Sequence, residues 1–149
     1  DINHIYGEEN TFRYLPLKNM VLRVENDELS DTLLTLYAAK AAKTPFTVSI
    51  SANDKKLFAI EKATAIVGGI KLIVEDEAAF IDSMNKYERI RTCSTDLSDA
   101  IYKKAAELGK HIATNKPLIE GRLELLHYLK EQSIACEYHR YGSIFGEDK

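Results

Sequence analysis

Short apolar runs alternate with longer helix-forming segments along most of this chain, and this alternation restricts its fold more than any other feature. The runs are rich in branched residues, as strands are, and the segments between them carry apolar residues at helical spacing. The predicted strands are 20–25, 46–51, 70–74, 89–94 and 111–114, and the predicted helices between them are 26–43, 53–67, 75–86 and 95–109. This pattern predicts an α/β fold, a doubly wound and mostly parallel Rossmann-like sheet with helices on both faces. The strand order does not follow from the sequence.

The two ends of the chain differ from this central pattern. Residues 1–19 show no sustained period and are predicted to be a lead-in or linker, whereas 20–132 form the predicted α/β domain. Residues 121–132 carry three leucines at spacings of three, which we interpret as a helix, and 133–141 alternate like a final strand. We therefore predict that residues 133–149 are a terminal strand and tail that serve as a docking arm.

Charge and cysteine content limit the partners and the setting of the chain. A formal net charge of −3 argues against nucleic-acid binding, which relies on an excess of Lys and Arg. No apolar run is long enough to predict a membrane span, and no signal peptide opens the chain. Cys93 and Cys136 lack the spacing of a metal motif, so we expect a reducing, cytoplasmic setting. Because the chain starts at Asp1 and not at Met, we expect a piece of a longer protein.

The turns that follow the predicted strands lack the glycines of a nucleotide site. In doubly wound folds, ligands bind at the carboxyl ends of the strands, and a dinucleotide site needs glycine in the first turn so that the backbone can approach the pyrophosphate. The first turn here, residues 25–28, carries three carboxylates and no glycine, and Gly68 and Gly69 precede a strand. We therefore expect no bound cofactor and no metal ligand in this chain.

The acidic turns also allow an alternative, a response-regulator-like receiver domain. A receiver gathers carboxylates after its first strand, an aspartate after the third, Ser or Thr after the fourth and Lys-Pro after the fifth. The corresponding residues here are Glu25, Asp27, Glu28, Asp76, Thr92, Ser94, Lys116 and Pro117. Carboxylate oxygens grouped in this way bind Mg²⁺ and support phosphoryl transfer to Asp76. The simpler interpretation is that these acids cap helices, because a receiver normally has paired acids directly at the end of its first strand.

No residues have the arrangement of a nucleophile and its base. Cys93 lies in an apolar strand pattern, where a buried and unreactive thiol is expected. Cys136 and His139 are three residues apart in the predicted final strand, so their side chains point to opposite faces. His127 lies between apolar residues of a predicted helix, and we interpret it as a packing residue. The sequence therefore predicts no catalytic residue.

Two segments resemble the C-terminal part of the bifunctional proline utilization A family. They are YGEENTFRYLPLKNMVLRV, residues 6–24, and GRLELLHYLKEQSIACEYHRYG, residues 121–142. Members of that family join an FAD-dependent proline dehydrogenase to an NAD-dependent aldehyde dehydrogenase, which acts on the semialdehyde derived from 1-pyrroline-5-carboxylate. The resemblance implies a noncatalytic domain that packs on the upstream aldehyde dehydrogenase module of the same chain and helps close its substrate path or assembly. It also implies NAD and FAD in the parent enzyme, with every catalytic residue outside this chain.

The end of the chain is rich in side chains that protein interfaces favour. Tyr138, His139, Arg140, Tyr141 and Gly142 form the predicted interface, because aromatic residues and arginine are enriched at such surfaces. The final strand is apolar on one face and is therefore also predicted to pair with a second copy of the chain by strand addition. The sequence thus predicts a noncatalytic docking domain, with the receiver as the alternative.

Overall fold

The larger part of the structure is a five-stranded parallel sheet between two layers of helices. The computed structural model describes residues 8–137 and divides the chain into two compact units, of which the larger comprises Pro16–Leu129. Its strands lie side by side in the order β4 (Ile70–Val74), β3 (Phe46–Ile50), β2 (Met20–Val24), β5 (Arg89–Arg91) and β6 (Ile112–Ala113). All neighbouring pairs are parallel. The predicted doubly wound, Rossmann-like fold is confirmed.

The helices divide between the two faces of the sheet. They are α1 (Leu29–Ala41), α2 (Leu57–Val67), α3 (Glu77–Ser83), α4 (Asp99–Glu107) and α5 (Gly121–Leu125). Because successive strand residues point to opposite faces, Leu22 of β2 packs in one core with Leu36 and Ile60 of α1 and α2. Val21 packs in a second core with Phe80 of α3 and with residues of α4. Within residues 8–137, no helix is both long and apolar enough to span a membrane.

The chain changes its direction of travel across the sheet beside β2. From β2 it runs outward through α1, β3 and α2 to the edge strand β4, and it returns through α3 to β5 on the other side of β2. The loops that follow β2 and β5 therefore lead to helices on opposite faces of the sheet. A crevice opens where two such loops diverge, and it is the usual position of a ligand in this class of fold.

Two helices begin later than the sequence predicts. The predicted helices 26–43 and 95–109 begin with polar residues that were expected to cap them, Asn26 or Asp27 and Thr95 or Asp96. In the structure these four residues lie in loops before α1 and α4. The observed cap of α4 is Ser98, whose hydroxyl oxygen accepts a backbone N–H from the first turn. The four residues that were expected to cap helices are therefore available to line the crevice.

The segment after β6 departs from the predicted helix at 121–132. The α-helix ends at Leu125 and is followed by a 3-10 turn, Leu126–Tyr128. Of the three leucines at spacings of three, Leu123 lies in α5, Leu126 in the 3-10 turn and Leu129 in the following strand, so their spacing does not mark one helix. A strand, β7 (Leu129–Glu137), then begins earlier than the predicted strand 133–141, whose last residues lie outside the described range.

The smaller unit joins residues from the two ends of the chain. Within the predicted lead-in or linker, residues 1–19, Glu8–Pro16 form β1, which pairs with β7 in a two-stranded sheet. Within this sheet, Arg13 donates a hydrogen bond from Nε to Oε1 of Gln132 at 2.6 Å. Most residues of both strands are exposed, so no alternation of burial marks β1 in the sequence.

Leu36 and Leu34 provide a matched test of how α1 packs. Leu36 is fully buried against the sheet, whereas Leu34 on the same helix is 56% exposed. Leu36→Ala should lower the free energy of unfolding by about 2–5 kcal/mol, because the substitution leaves a cavity. Measured at a protein concentration low enough for the chain to be monomeric, Leu34→Ala should lower it by less than about 1 kcal/mol. Urea denaturation measures both values, and equal losses would contradict the packing described.

Candidate functional site

A polar cavity of about 360 Å³ opens at the carboxyl edge of the sheet. It is lined by Asn26, Asp27, Glu28, Cys93, Ser94, Thr95, Asp96, Thr114, Asn115 and Lys116. These residues belong to the loops that follow β2, β5 and β6. We call this space the switch-point cavity, because the direction of the chain across the sheet reverses between β2 and β5. The cavity thus occupies the crevice that the topology creates.

Asp27 is the buried acid of the switch-point cavity. Only 6% of its surface is exposed, and its Oδ2 accepts the backbone N–H of Cys93 at 3.4 Å. Its Oδ1 is buried and has no hydrogen-bond partner among the described residues. Burial raises the pKa of Asp27 from 3.8 to about 6, although the Cys93 amide, the nearby backbone N–H of Glu25 and the charge of Lys56 oppose this increase. At neutral pH the carboxylate is therefore ionised although burial disfavours its charge. A bound hydrogen-bond donor would stabilise the ionised form.

Hydrogen bonds from short polar side chains hold the loop after β5 in place. Thr92 Oγ1 accepts the backbone N–H of Ser94 at 3.2 Å, and Ser94 Oγ accepts that of Asp96 at 3.1 Å. Asn26 donates from Nδ2 to Asp96 Oδ2 at 3.0 Å and so joins this loop to the loop after β2. Two walls of the cavity are therefore fixed by bonds within the chain itself.

Cys93 lines the cavity but lacks the properties of a nucleophile. Its thiol is buried and lies 3.4 Å from Oγ1 of Thr35. Burial raises the pKa of the thiol to about 11, so the reactive thiolate is scarce at neutral pH. Cys136 is exposed on β7 in the smaller unit, and His139 lies outside the described residues. The properties of Cys93 agree with the unreactive thiol that the strand pattern predicts.

Carboxylates outnumber basic groups at the cavity wall. Asp27, Glu28 and Asp96 contribute to the described lining, and Lys116 is its one basic residue. The Lys116 ammonium already lies 3.6 Å from Oδ2 of Asp31 on α1. A phosphate group would therefore meet negative charge here, without the glycine-rich backbone that usually binds it. Across residues 8–137, no group of three or more His, Cys, Asp or Glu side chains is placed to hold a metal ion.

A buried ion pair positions the segment that follows β6. Arg91, fully buried on β5, donates from Nη2 to Oε1 of Glu124 on α5 at 2.7 Å. The same carboxylate accepts the Tyr128 hydroxyl at 2.8 Å and, through Oε2, the backbone N–H of Leu118 at 2.8 Å. The Arg91 guanidinium also lies 5.6 Å from the centroid of the Tyr128 ring. These contacts fix α5 and Leu118 to the middle of the sheet.

Sequence reasoning missed this ion pair, although part of the signal is present in the chain. A strand inside a parallel sheet is covered on both faces, so a buried arginine within it needs hydrogen-bond acceptors, commonly an acid. Arg23 of β2 follows the same rule, because it donates from Nε to the nearby Glu25 at 2.6 Å. The partner of Arg91 is Glu124, which is 33 residues away in the sequence. No local pattern identifies an acid at that distance.

An apolar groove of about 460 Å³ lies between α1 and the segment 117–125. It is lined by Leu34, Tyr37, Ala38, Ala41, Pro117, Leu118, Ile119, Gly121, Arg122, Glu124 and Leu125. Leu34, Tyr37 and Leu118 are about half exposed, and Ile119 is fully exposed. We call this feature the α1 groove. Clustered apolar surface of this kind commonly marks a contact site.

The residues of the receiver alternative do not all meet in one place. Four of them line the switch-point cavity, namely Asp27, Glu28, Ser94 and Lys116. Asp76 instead follows the edge strand β4, which β3 separates from β2, and its Oδ1 caps α3 by accepting the N–H of Ala79 at 2.8 Å. Glu25 is paired with Arg23. No observation favours Asp76 as a phosphate acceptor, and the receiver stays a prediction.

The interface predicted at the end of the chain falls outside the described residues. Tyr138, His139, Arg140, Tyr141 and Gly142 all follow the last described position. Pairing with a second copy through the final strand stays a prediction; the described part of that strand, residues 133–137, belongs to β7, which pairs with β1.

His127 lies beside the cavity and does not line it. Its Nε2 is 3.2 Å from the side-chain nitrogen of Asn115, and its ring is half-buried. Burial, together with the charge of Arg91, lowers the pKa of His127, so the ring is neutral at physiological pH. This environment is that of a packing residue, in keeping with the interpretation of the sequence.

The fold and the cavity define a Rossmann-like α/β domain whose crevice is polar and acidic. No known protein family matches the chain, and no curated protein matches it. Among solved structures, eIF2B beta from Chaetomium thermophilum is similar, with 17% identity, coverage of 78% of this chain and a TM-score of 0.47. The chain spans 41% of the length of that protein. A similarity at this level carries no argument about function.

The proposed relation to the proline utilization A family is wrong. No family and no curated protein matches the chain, and the structural similarity found is to eIF2B beta, not to an aldehyde dehydrogenase. The segments that suggested it, 6–24 and 121–142, include the exposed strands β1 and β7, where burial places few constraints on the sequence. The dehydrogenase partner and the NAD and FAD of a parent enzyme rested on that resemblance alone and lose their support.

The raised pKa of Asp27 predicts a characteristic dependence of stability on pH. Between about pH 4 and about pH 6, the folded chain retains a proton on Asp27 that the unfolded chain has released, so this group makes the free energy of unfolding fall as the pH rises. Asp27→Asn removes this contribution. Relative to wild type, the variant should gain on the order of 2–3 kcal/mol between about pH 4 and about pH 7.

Urea denaturation at a series of pH values measures this difference. Asp82→Asn makes the same chemical change at an exposed position of α3 and serves as the control. Its stability curve should keep the wild-type shape. A curve for Asp27→Asn that runs parallel to the wild-type curve would contradict the burial of an ionised Asp27.

Proposed function

We propose that this chain is a noncatalytic Rossmann-like module that functions by assembly, with a second copy of the chain in the α1 groove. The observation that carries the proposal is the outer face of α1, which is apolar where a surface helix is normally polar. The proposal keeps the noncatalytic, docking character that the sequence predicts and requires no relation to any enzyme family.

Helix α1 has apolar residues on two sides. Its inner side packs on the sheet through Leu36 and Ala39, which have no exposed surface. Its outer side presents Leu34, Tyr37 and Ala41, at the spacing of a second helical stripe, to the α1 groove. A polar outer face would suffice for a helix that covers one sheet. The second stripe therefore supports burial of α1 on both sides in an assembly.

The shape of the α1 groove favours a second copy over an unrelated partner. Ile119 is fully exposed at the edge of the concave surface, and the neighbouring Leu118 is held in place by the bond from its N–H to Glu124. A surface that carries both a protruding apolar side chain and a cavity can complement itself across a two-fold axis. This is the requirement for the dimer contact that is commonest among soluble proteins.

The chemistry of the switch-point cavity supports the noncatalytic part of the proposal. A hydroxyl or thiol nucleophile requires an adjacent base. The described lining contains no histidine, and Asp27, the buried one of its three carboxylates, bonds the backbone N–H of Cys93 instead of a thiol or a hydroxyl. The Cys93 thiol itself is held in the protonated state by burial.

Substitution of Ile119 by glutamate tests the proposed contact. Wild-type chains should form a dimer in sedimentation equilibrium, and Ile119→Glu should raise the dimer dissociation constant at least about tenfold, because it places a charge in an apolar contact. Ile66→Glu makes the same change at an exposed position of α2 outside the α1 groove and should leave the dimer intact. Urea denaturation of both variants checks that each remains folded.

Two results would overturn the proposal. A wild-type chain that stays monomeric at every accessible concentration would exclude a second copy as the occupant. A dimer that Ile66→Glu disrupts and Ile119→Glu preserves would place the contact on another surface.

A further inference from the structure

The acidic switch-point cavity has no role in assembly through the α1 groove. The groove lies between α1 and the segment 117–125, whereas the cavity is built from the loops at the carboxyl ends of β2, β5 and β6. Asp27 is nine-tenths buried at the cavity wall, and its Oδ1 lacks a hydrogen-bond partner among the described residues. A buried acceptor without a donor is unfavourable, and natural folds usually satisfy such an atom. Asp27 is therefore a position that a ligand could complete.

Charge indicates the kind of ligand. Glu28 and Asp96 add two carboxylates to Asp27 in the described lining, and the one lysine, Lys116, is already paired with Asp31. The N-terminus of α1 offsets part of this negative charge but does not reverse it. An anion would be repelled from the cavity, whereas a protonated amine would be attracted and could donate to a carboxylate.

The rest of the lining indicates a small hydrophilic molecule. The hydroxyl groups of Ser94, Thr95 and Thr114 and the amide of Asn115 line the cavity, and none of its described lining residues is aliphatic or aromatic. A hydrophilic ligand would therefore find hydrogen-bond partners on several walls of the cavity. The volume of about 360 Å³ is close to the lower end of the range for small-molecule sites.

We propose that the switch-point cavity binds a small hydrophilic compound that carries a protonated amine. The amine donates to the carboxylate of Asp27, and hydroxyl groups of the compound bond Ser94 and Asn115 at the opposite wall. Asn26 donates to Asp96 and joins the loop after β2 to the loop after β5, and within the second loop the N–H of Asp96 donates to Ser94. Binding of this kind is independent of the α1 groove.

A matched pair of probes separates the amine from the hydroxyl groups. Glucosamine and glucose differ only in that an amine replaces one hydroxyl group, and ethanolamine and ethylene glycol form a smaller pair with the same difference. In nuclear magnetic resonance titrations of the full chain, the two amines should shift the backbone resonances of Asp27, Cys93 and Ser94. Glucose and ethylene glycol should leave these resonances unchanged.

The role of Asp27 is tested with one variant, one control and one direct readout. Asp27→Asn should abolish the shifts, and Asp82→Asn, at an exposed site on α3, should retain them. In the wild-type chain, titration of the Asp27 carboxyl carbon should give a lower pKa with glucosamine than without it, because the bound cation stabilises the ionised form. This last measurement does not depend on the folding of any variant.

Several outcomes would overturn the proposal. Equal shifts from glucosamine and glucose would indicate a site for neutral polyols. The absence of shifts with both amines, or an Asp27 pKa that glucosamine does not change, would show that the cavity does not bind this class. None of these outcomes bears on the dimer of the α1 groove, so the two proposals fail separately.

Discussion

The buried ion pair between Arg91 and Glu124 is the contact on which the arrangement of the larger unit depends. A fully buried charge such as that of Arg91 costs several kcal/mol unless an opposite charge meets it. Strand β5 can therefore carry Arg91 only if α5 brings Glu124 to the sheet, at 2.7 Å. The same carboxylate accepts hydrogen bonds from Tyr128 and from the Leu118 backbone, so one side chain ties three parts of the segment after β6 to the core.

Both candidate surfaces, the α1 groove and the switch-point cavity, depend on the Arg91–Glu124 ion pair and on α1. Leu118 and Ile119 form a wall of the α1 groove, while Asn115 and Lys116, a few residues earlier, form a wall of the switch-point cavity. Helix α1 contributes its outer face to the groove, and the loop that leads into it contributes Asp27 to the cavity. A short stretch of chain with little regular structure thus borders both surfaces through its contacts with one helix and one buried arginine.

The sequence predicts the sheet because parallel strands that are buried on both faces consist of nearly continuous apolar residues. The run at 20–25 corresponds to β2, and the run at 46–51 to β3, which are buried along their whole length. The predicted first residues of α1 and α4 were less accurate. Several polar residues in succession could each cap α1, and only the burial of Asp27 beneath the loop after β5 decides among them.

What the sequence could not supply is pairing over long distances. In the sequence, Glu124 looks like any polar residue of an amphipathic helix, and only the structure shows that it pairs with Arg91. Similarly, β1 is recognisable as a strand only from its pairing with β7. The cavity follows the same logic. The acids of the first turn are visible in the sequence, but the strand order that places Ser94 next to them, and leaves Asp76 at the edge of the sheet, is not.

Amide hydrogen exchange in Glu124→Gln tests the central dependence most directly. Glutamine keeps the shape of the side chain and removes the charge that the buried Arg91 requires, so the free energy of unfolding should fall by about 3 kcal/mol. The Leu118 amide, which Glu124 holds at 2.8 Å, should exchange faster by a larger factor than the amides of β2 and β3. Wild-type protection of Leu118 together with unchanged stability would contradict the account.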